Sequence, residues 1–355
     1  MGNTGKKVYI LGAGATIAHS NNLFPDISNI FKKAFEEKIT SIDKYRELAG
    51  FVQEHFGENI NTNCVSINAE DVYTAIEIGL EFGIEQYIIL KSQFIEILIN
   101  LFSKLQEEMK RNNSEKSCYK KFLASQGIRE NTVITFNWDI VLDDLLGRNL
   151  YIEPETKEEQ CFDDNLGHYK NFYYTLTGHA VGTYEHISVG QPKLKGTPFA
   201  SPKDVYLLKL HGSIDWKVCN NKGCRAYGLI FPMREPQEKF ICSECLEDLN
   251  TLIVPPTLNK PVLQNPFIRR LWNFALNAIS SADSLIIWGY SLPPTDFYAQ
   301  WLLRKGAKNK NLKKIILINP DIDKEEFIQC FKTLFTEVQI LKYSTYEDFA
   351  ENQQA

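Results

Sequence analysis

The sequence has no apolar run of membrane-spanning length. Its longest apolar stretch, Tyr87 to Phe102, is interrupted by Lys91, Glu96 and Asn100 and falls short of the roughly 20 apolar residues that a transmembrane helix requires. An excess of basic charge is also lacking. Lys and Arg number 39 against 44 Asp and Glu, a formal net charge of -5, so no chain-wide attraction to a phosphate backbone exists and direct nucleic-acid binding is not expected. Eight cysteines in 355 residues are too few for a disulfide scaffold. There is no internal repeat and no low-complexity tract. Lys6 and Lys7 lead straight into a strand, which leaves no room for a signal peptide, so a cytoplasmic protein is expected.

What remains is an ordinary globular composition, 44% hydrophobic and 23% charged, which folds without a partner. The length suits one large domain with insertions or two modest ones. Short β-branched runs at Val8 to Leu11, Val133 to Phe136, Val205 to Leu210, Ser284 to Trp288 and Lys314 to Ile318 read as strands buried on both faces. Helical patterns separate most of them, the alternation of a parallel sheet covered by helices. Val72, Ile76, Leu80, Ile84 and Ile88 recur at helical spacing and predict a helical insertion that covers the cleft or forms a subunit interface. Glu70 and Asp71 open it as capping residues.

The fold class predicted is α/β: a Rossmann-like doubly wound parallel sheet with a helical insertion and a zinc-ribbon module. The core occupies residues 1–39, 114–150 and 253–355, the helical insertion 40–113, an irregular insertion 151–203, a core strand with a histidine 204–215, and the ribbon 216–252. His168, His179 and His186 of the irregular insertion fit no metal motif.

Chemistry-bearing residues gather where these strands end. Gly12-Ala13-Gly14 follows the first and reads either as a phosphate-approaching turn or as a tight strand-to-helix turn with no ligand; the usual third glycine is replaced by Ile17. Thr135, Asn137 and Asp139 follow the second. Both Asn137 and Asp139 are able to cap the next helix, Asp139 especially, while an amide at Asn137 also suits a ribose hydroxyl or a water. His211 closes the third and can take a proton from a sugar hydroxyl or water. Gly289 and Ser291 follow the fourth, and Asn319 the fifth. Cys219 and Cys224, then Cys242 and Cys245, form two pairs with four and two residues inside them and seventeen between, the spacing of a four-thiolate zinc site with no open position. Cys64, Cys118, Cys161 and Cys330 are scattered and read as buried small hydrophobes.

In order and content these residues resemble the sirtuin-like family. Gly12 to Gly14 resemble its phosphate turn, Thr135, Asn137 and Asp139 its Thr-x-Asn-x-Asp strand end, and His211 its catalytic histidine. Cys219 to Cys245 resemble its zinc ribbon, Gly289 and Ser291 its Gly-x-Ser strand end, and Ile318 and Asn319 its adenosine-side loop. The deacylases' Pro-Asp-Phe-Arg segment departs here to Pro25-Asp26-Ile27-Ser28, and Val254-Pro255-Pro256-Thr257 stands where they carry Phe-Gly-Glu. With His211-Gly212-Ser213-Ile214-Asp215-Trp216 and a helical insertion, the pattern is more similar to bacterial sirtuin-like proteins of antiphage defence. The resemblance implies NAD as substrate, hydrolysed to nicotinamide and ADP-ribose, and a structural zinc ion. Asn137 is implied to hold the ribose or attacking water, His211 to act as general base, and Asp139 to face the carboxamide or brace the loop. Gly12, Ala13, Gly14, Ser291 and Asn319 are implied to hold pyrophosphate and adenosine. A homo-oligomer and a defence partner such as an ATPase are implied as well. An NAD-dependent protein deacylase and a non-catalytic NAD or ADP-ribose sensor are the alternatives.

Overall fold

The computed structural model describes residues 5–40, 43–112, 118–124, 131–147, 206–228, 230–232, 239–255 and 265–352. The expected insertion at 151–203, with His168, His179, His186 and Cys161, lies outside the described residues.

Six parallel strands form the central sheet: β1 (Lys7–Leu11), β2 (Thr132–Thr135), β3 (Tyr206–Lys209), β7 (Ser284–Trp288), β8 (Lys314–Ile318) and β9 (Gln339–Tyr343), in the order β3-β2-β1-β7-β8-β9. The chain winds outward from β1 in both directions, so β1 and β7 border the switch point at which an open α/β sheet forms its crevice. Alternate residues of these strands serve two separate cores. Val8, Ile10, Leu285, Ile287, Ile315 and Leu317 enter one, and Tyr9, Leu11, Ile286, Trp288, Ile316 and Ile318 the other. Burial on both faces explains why the inner strands are almost continuously apolar.

The face carrying Tyr9 and Leu11 is covered by α2 (Ile30–Glu36), α3 (Arg46–Phe56), α4 (Ala69–Glu81), α5 (Gln86–Arg111) and α6 (Cys118–Ala124). The opposite face packs on α8 (Pro266–Ser280), α9 (Phe297–Ala307) and α10 (Glu325–Leu334). α1 (Ala13–His19) follows β1, α7 (Val141–Gly147) follows β2, and α11 (Tyr346–Asn352) follows β9.

The predicted helical insertion is helical, but its apolar series does not run through a single helix. α4 ends at Glu81, Gly83 turns the chain at φ +73, and α5 starts at Gln86, leaving Ile84 and Ile88 exposed. Asn68 is the cap of α4, accepting from the Glu70 N–H at 2.8 Å, so Glu70 and Asp71 are first-turn residues and not the cap. Cys118 is buried as expected, whereas Cys64 and Cys330 are exposed, a departure from the small-hydrophobe reading.

Immediately beyond β3 the chain enters a second, antiparallel sheet in which β4 (Gly212–Val218) pairs with β5 (Ile230–Pro232) and β6 (Asn250–Ile253). Gly212 makes this junction possible. It sits at φ +74, and a Cβ there would lie 2.1 Å from the Leu252 carbonyl oxygen. Among the described residues, no helix is long and apolar enough to cross a membrane.

Candidate functional site

The switch point is closed by interlocking glycines. The Gly12 N–H donates to the Trp288 carbonyl at 3.0 Å and the Gly14 N–H to the Gly289 carbonyl at 2.9 Å. A Cβ on Gly12 would lie 2.5 Å from the Gly289 oxygen, and one on Gly14 2.8 Å from the Gly289 Cα. Glycine is therefore demanded at both positions by the approach of the β7 turn, whatever binds outside it. Ala13 is the exposed residue of this turn.

Asn137 sits beside it, half-buried. Its Nδ2 donates to the Gly12 carbonyl at 3.0 Å and to Thr16 Oγ1 at 3.1 Å, joining the ends of β1 and β2. Thr16 Oγ1 donates to Asp139 Oδ2 at 3.0 Å and lies 3.1 Å from the Tyr119 hydroxyl. Burial holds the Tyr119 phenol well above its ordinary pKa, with the Asp139 charge adding to the effect; because the one Thr16 hydroxyl proton goes to Asp139, the protonated phenol is the donor to Thr16. Thr135 Oγ1 accepts from the Asn137 N–H at 3.1 Å, which makes it part of the loop's internal bracing.

Asp139 is buried and accepts from the Val141 N–H at 3.0 Å, the helix-opening contact that its position before α7 predicts. Burial raises its pKa, and the Lys209 charge opposes the rise. Lys209, the buried last residue of β3 and two residues before His211, donates through Nζ to the Asp139 carbonyl at 2.6 Å and to Asp143 Oδ2 at 2.8 Å.

His211 differs from expectation in its surroundings. It does not project into an open crevice: the residue is buried, its ring 4.9 Å from that of Phe136 and 6.4 Å from that of Trp272. Its Nε2 is 3.1 Å from Asp296 Oδ2. Asp296 is fully buried, also accepts from the Tyr290 hydroxyl at 3.0 Å, and caps α9 through the Ala299 N–H at 3.3 Å. The Tyr290 phenol is held well above its usual pKa, first by burial and then by the Asp296 charge, so it remains a donor. The insertion reaches the same edge: Glu70 Oε2 at the start of α4 accepts from Thr295 Oγ1 at 3.1 Å.

The sequence did not single out Thr16, Tyr290 or Asp296. Thr16 lies four residues beyond Gly12, one helical turn into α1, a spacing that was available as a signal. Asp296 lies in a loop after Pro293 and Pro294, where no local pattern separates a capping Asp from one that also meets a histidine. Gly289 is at φ +64, Ser291 is exposed, and Asn319 is buried with its Oδ1 accepting from the Asp321 N–H at 2.9 Å. The Asn319 carbonyl end is thus engaged in its own turn.

Below the site, Asp215 on β4 accepts a short hydrogen bond from Ser213 Oγ. Burial pushes its carboxyl up to about 6, the Lys209 charge pulling down and Asp143 pushing up. An unfolded Asp titrates near 3.9, so between about pH 4 and 6 the folded chain holds the extra proton, and this contribution to stability falls as pH rises through that window. Asp215→Asn keeps an acceptor for Ser213. It is expected to melt above the wild type at pH 7, with the difference closing toward pH 4, in thermal melts recorded across that range.

In the ribbon, the Sγ atoms of Cys219, Cys224, Cys242 and Cys245 all lie within 4.8 Å of one another, with Cys219 to Cys245 at 3.6 Å and Cys224 to Cys242 at 3.8 Å. Four sulfurs bonded at about 2.3 Å to a tetrahedral zinc stand roughly 3.8 Å apart, so the cluster fits that ion. The Ala226 N–H donates to Cys224 Sγ at 3.3 Å, the kind of outer contact that orients a thiolate ligand.

No protein-family model matches the chain, and no curated protein matches it. Among solved structures, a Sir2 homologue–NAD complex is similar at 12% identity and a TM-score of 0.42, over 98% of this chain and 88% of its own. A Sir2 homologue mutant in complex with ADP-ribose gives 12%, 0.41, 98% and 90%, and a Sir2 mutant with a p53 peptide and NAD gives 13%, 0.36, 99% and 92%. The fold described above rests on strand order and register, not on these likenesses. The solved structures to which this chain is similar are Sir2 homologues, the family that its sequence motifs resemble.

Proposed function

We propose that the chain hydrolyses NAD to nicotinamide and ADP-ribose. The observation that carries this reading is the convergence, at the switch point of a doubly wound sheet, of the Asn137 amide on the Gly12 turn, with the His211–Asp296 pair at the end of the adjoining β3 run. Such a crevice suits a dinucleotide, and the sirtuin-like motif order specifies NAD. When bound, NAD supplies the glycosidic bond whose cleavage passes through an oxocarbenium-like state.

The residues divide the work. Asn137 has its amide nitrogen fixed on Gly12 and Thr16, which directs its oxygen to accept from a ribose hydroxyl or the attacking water. Asp296, 3.1 Å from His211 Nε2, orients and polarises the imidazole that serves as general base. Asp139 braces the loop beneath Asn137 through Thr16. Ala13 and Gly14 line the pyrophosphate path, with Gly12 and Gly289 shaping it. Ser291 and Asn319 lie on the adenosine side, Asn319 shaping its turn. By the same resemblance the chain is an effector of bacterial antiphage defence that acts in the cytoplasm by NAD depletion, as a homo-oligomer restrained by a partner such as an ATPase.

The cluster of Cys219, Cys224, Cys242 and Cys245 holds a structural zinc. Four thiolates leave no position for a reacting water, so the ion contributes to folding alone. Cys242→Ser is expected to lower the melting temperature and the bound zinc together while NAD turnover per folded molecule stays at the wild-type value. Metal analysis alongside calorimetry checks this, and folded, zinc-free wild-type protein would contradict it.

Incubation with NAD in the presence and absence of an acyl-lysine peptide separates the readings. Hydrolysis predicts nicotinamide release that is independent of the peptide. Release only with peptide, accompanied by its deacylation, would favour a deacylase, and binding of NAD without consumption would favour a sensor.

A further inference from the structure

The helical insertion brings one carboxylate to the edge where the site lies. Glu70 stands in the first turn of α4, where Ala69, Val72, Tyr73 and Ile76 are buried in the core and the Asn68 side chain caps the helix through the Glu70 N–H. That packing fixes the Glu70 backbone. The residue is only 7% exposed, and an acid so placed needs hydrogen-bond partners. The helix dipole favours its charge in the first turn. Its reach has a different object: Oε2 accepts from Thr295 Oγ1 at 3.1 Å, 225 residues further along the chain.

Thr295 is exposed and lies between β7 and α9, in neither helix nor strand. The next residue is Asp296, whose Oδ2 lies 3.1 Å from His211 Nε2 and accepts from the Tyr290 hydroxyl. On the α9 side this loop is held by the Ala299 N–H on Asp296 Oδ1 at 3.3 Å and by Gln300 Nε2 on the Pro293 and Pro294 carbonyls, each at 3.2 Å. Glu70 holds it from the insertion, out of a helix packed in the other core. After burial and the Asp296 charge, the Glu70 charge also helps to raise the Tyr290 phenol, so the carboxylate is felt at both ends of the loop.

We propose that Glu70 is a positioning residue for catalysis: by anchoring Thr295 it sets Asp296 against His211, so that the helical insertion completes the site. The anchor is the rigid partner, since Glu70 rises from a packed helix and Thr295 from an exposed loop. The effect on rate rests on the reading of His211 as general base; the effect on the His211–Asp296 pair does not. Misplacing a reacting group by about 1 Å costs on the order of a hundredfold in rate, and releasing one hydrogen bond at one end of a loop held elsewhere should cost about tenfold.

Thr295→Val removes the hydroxyl at nearly unchanged volume, and Glu70→Ala removes its acceptor. Each is expected to lower kcat for NAD about tenfold and to leave KM within about twofold, because neither group touches substrate. The double variant should lose no more than either single one, the mark of one shared contact. Thr295→Ser keeps a hydroxyl and Glu70→Gln an acceptor oxygen, so both should stay near the wild-type kcat, as should Asp71→Asn, which removes an exposed charge from the same turn. A second readout needs no turnover. With histidine labelled in its ring nitrogens, the His211 resonances, assigned by their loss in His211→Ala, should move in Thr295→Val and return in Thr295→Ser. Unmoved resonances in Thr295→Val and Glu70→Ala would overturn the proposal, as would an unchanged kcat in an active enzyme or a raised KM at constant kcat, which would make Glu70 a substrate contact. A wild-type chain that leaves NAD intact would instead defeat the NAD reading, and the resonances alone would then decide whether Glu70 sets the pair.

Discussion

His211→Ala should lower NAD cleavage by about two to four orders of magnitude, the usual cost of losing a general base. Its affinity for ADP-ribose should stay within a few-fold of the wild type, because the ring is held in the aromatic layer of Phe136 and Trp272, whereas the pyrophosphate contacts are proposed at Ala13 and Gly14. The burial of His211 adds a second expectation. Asp296 is fully buried and loses one of its contacts, so melting should fall as well, and turnover must be compared at equal folded fraction. Asn137→Ala should show a comparable loss of turnover with a smaller loss of stability, since Asn137 is only half-buried. Asp296→Asn keeps the volume and removes the carboxylate. It should lower kcat on the order of a hundredfold and leave KM nearly unchanged, the pattern of a group that acts through His211. Steady-state kinetics with ADP-ribose titrations distinguish these outcomes, and wild-type turnover in His211→Ala would remove the histidine from the mechanism.

The largest structural effect is expected at Gly289. A Cβ there would lie 2.2 Å from the Ala15 nitrogen and 2.4 Å from the Gly14 carbonyl carbon, backbone atoms that cannot rotate aside, and the residue is at φ +64. Gly289→Ala should therefore cost on the order of 3 to 5 kcal/mol, placing it among the severe single substitutions. Gly50 serves as the internal control. It lies within α3 with nothing within 4 Å of an added Cβ, so Gly50→Ala should stabilise the chain by about 0.5 to 1 kcal/mol. Chemical denaturation of the two variants reads both signs in one experiment.

Much of this architecture is legible in the amino-acid order. β1, β7 and β8 are nearly unbroken β-branched and aliphatic runs because both of their faces are buried, and that burial is what makes them visible. β9 is an edge strand with a pattern of exposed and half-buried residues, Gln339-Ile340-Leu341-Lys342-Tyr343, so it lacks the run and does not stand out. The cysteine cluster is legible because metal geometry fixes spacing along the chain. The strand-end residues are legible as a row, yet their partners are not. Asp296 meets His211 only because the loop after β7 folds back over the end of the β3 run; Tyr290 meets Asp296 within that loop, and Thr295 joins it to Glu70 of α4. Periodicity also overstates continuity: Val72 to Ile88 keeps helical spacing through the turn at Gly83, because the side chains beyond it stay apolar although they are exposed.

Under the proposed function, this crevice breaks the bond between nicotinamide and ribose with water as the acceptor. The most direct measurement is the time course of free nicotinamide and free ADP-ribose produced from NAD by the purified wild-type chain, with His211→Ala alongside. Equal amounts of the two products are expected at every time, formed without peptide and lost with the histidine. Intact NAD throughout, or nicotinamide without a matching quantity of ADP-ribose, would contradict it.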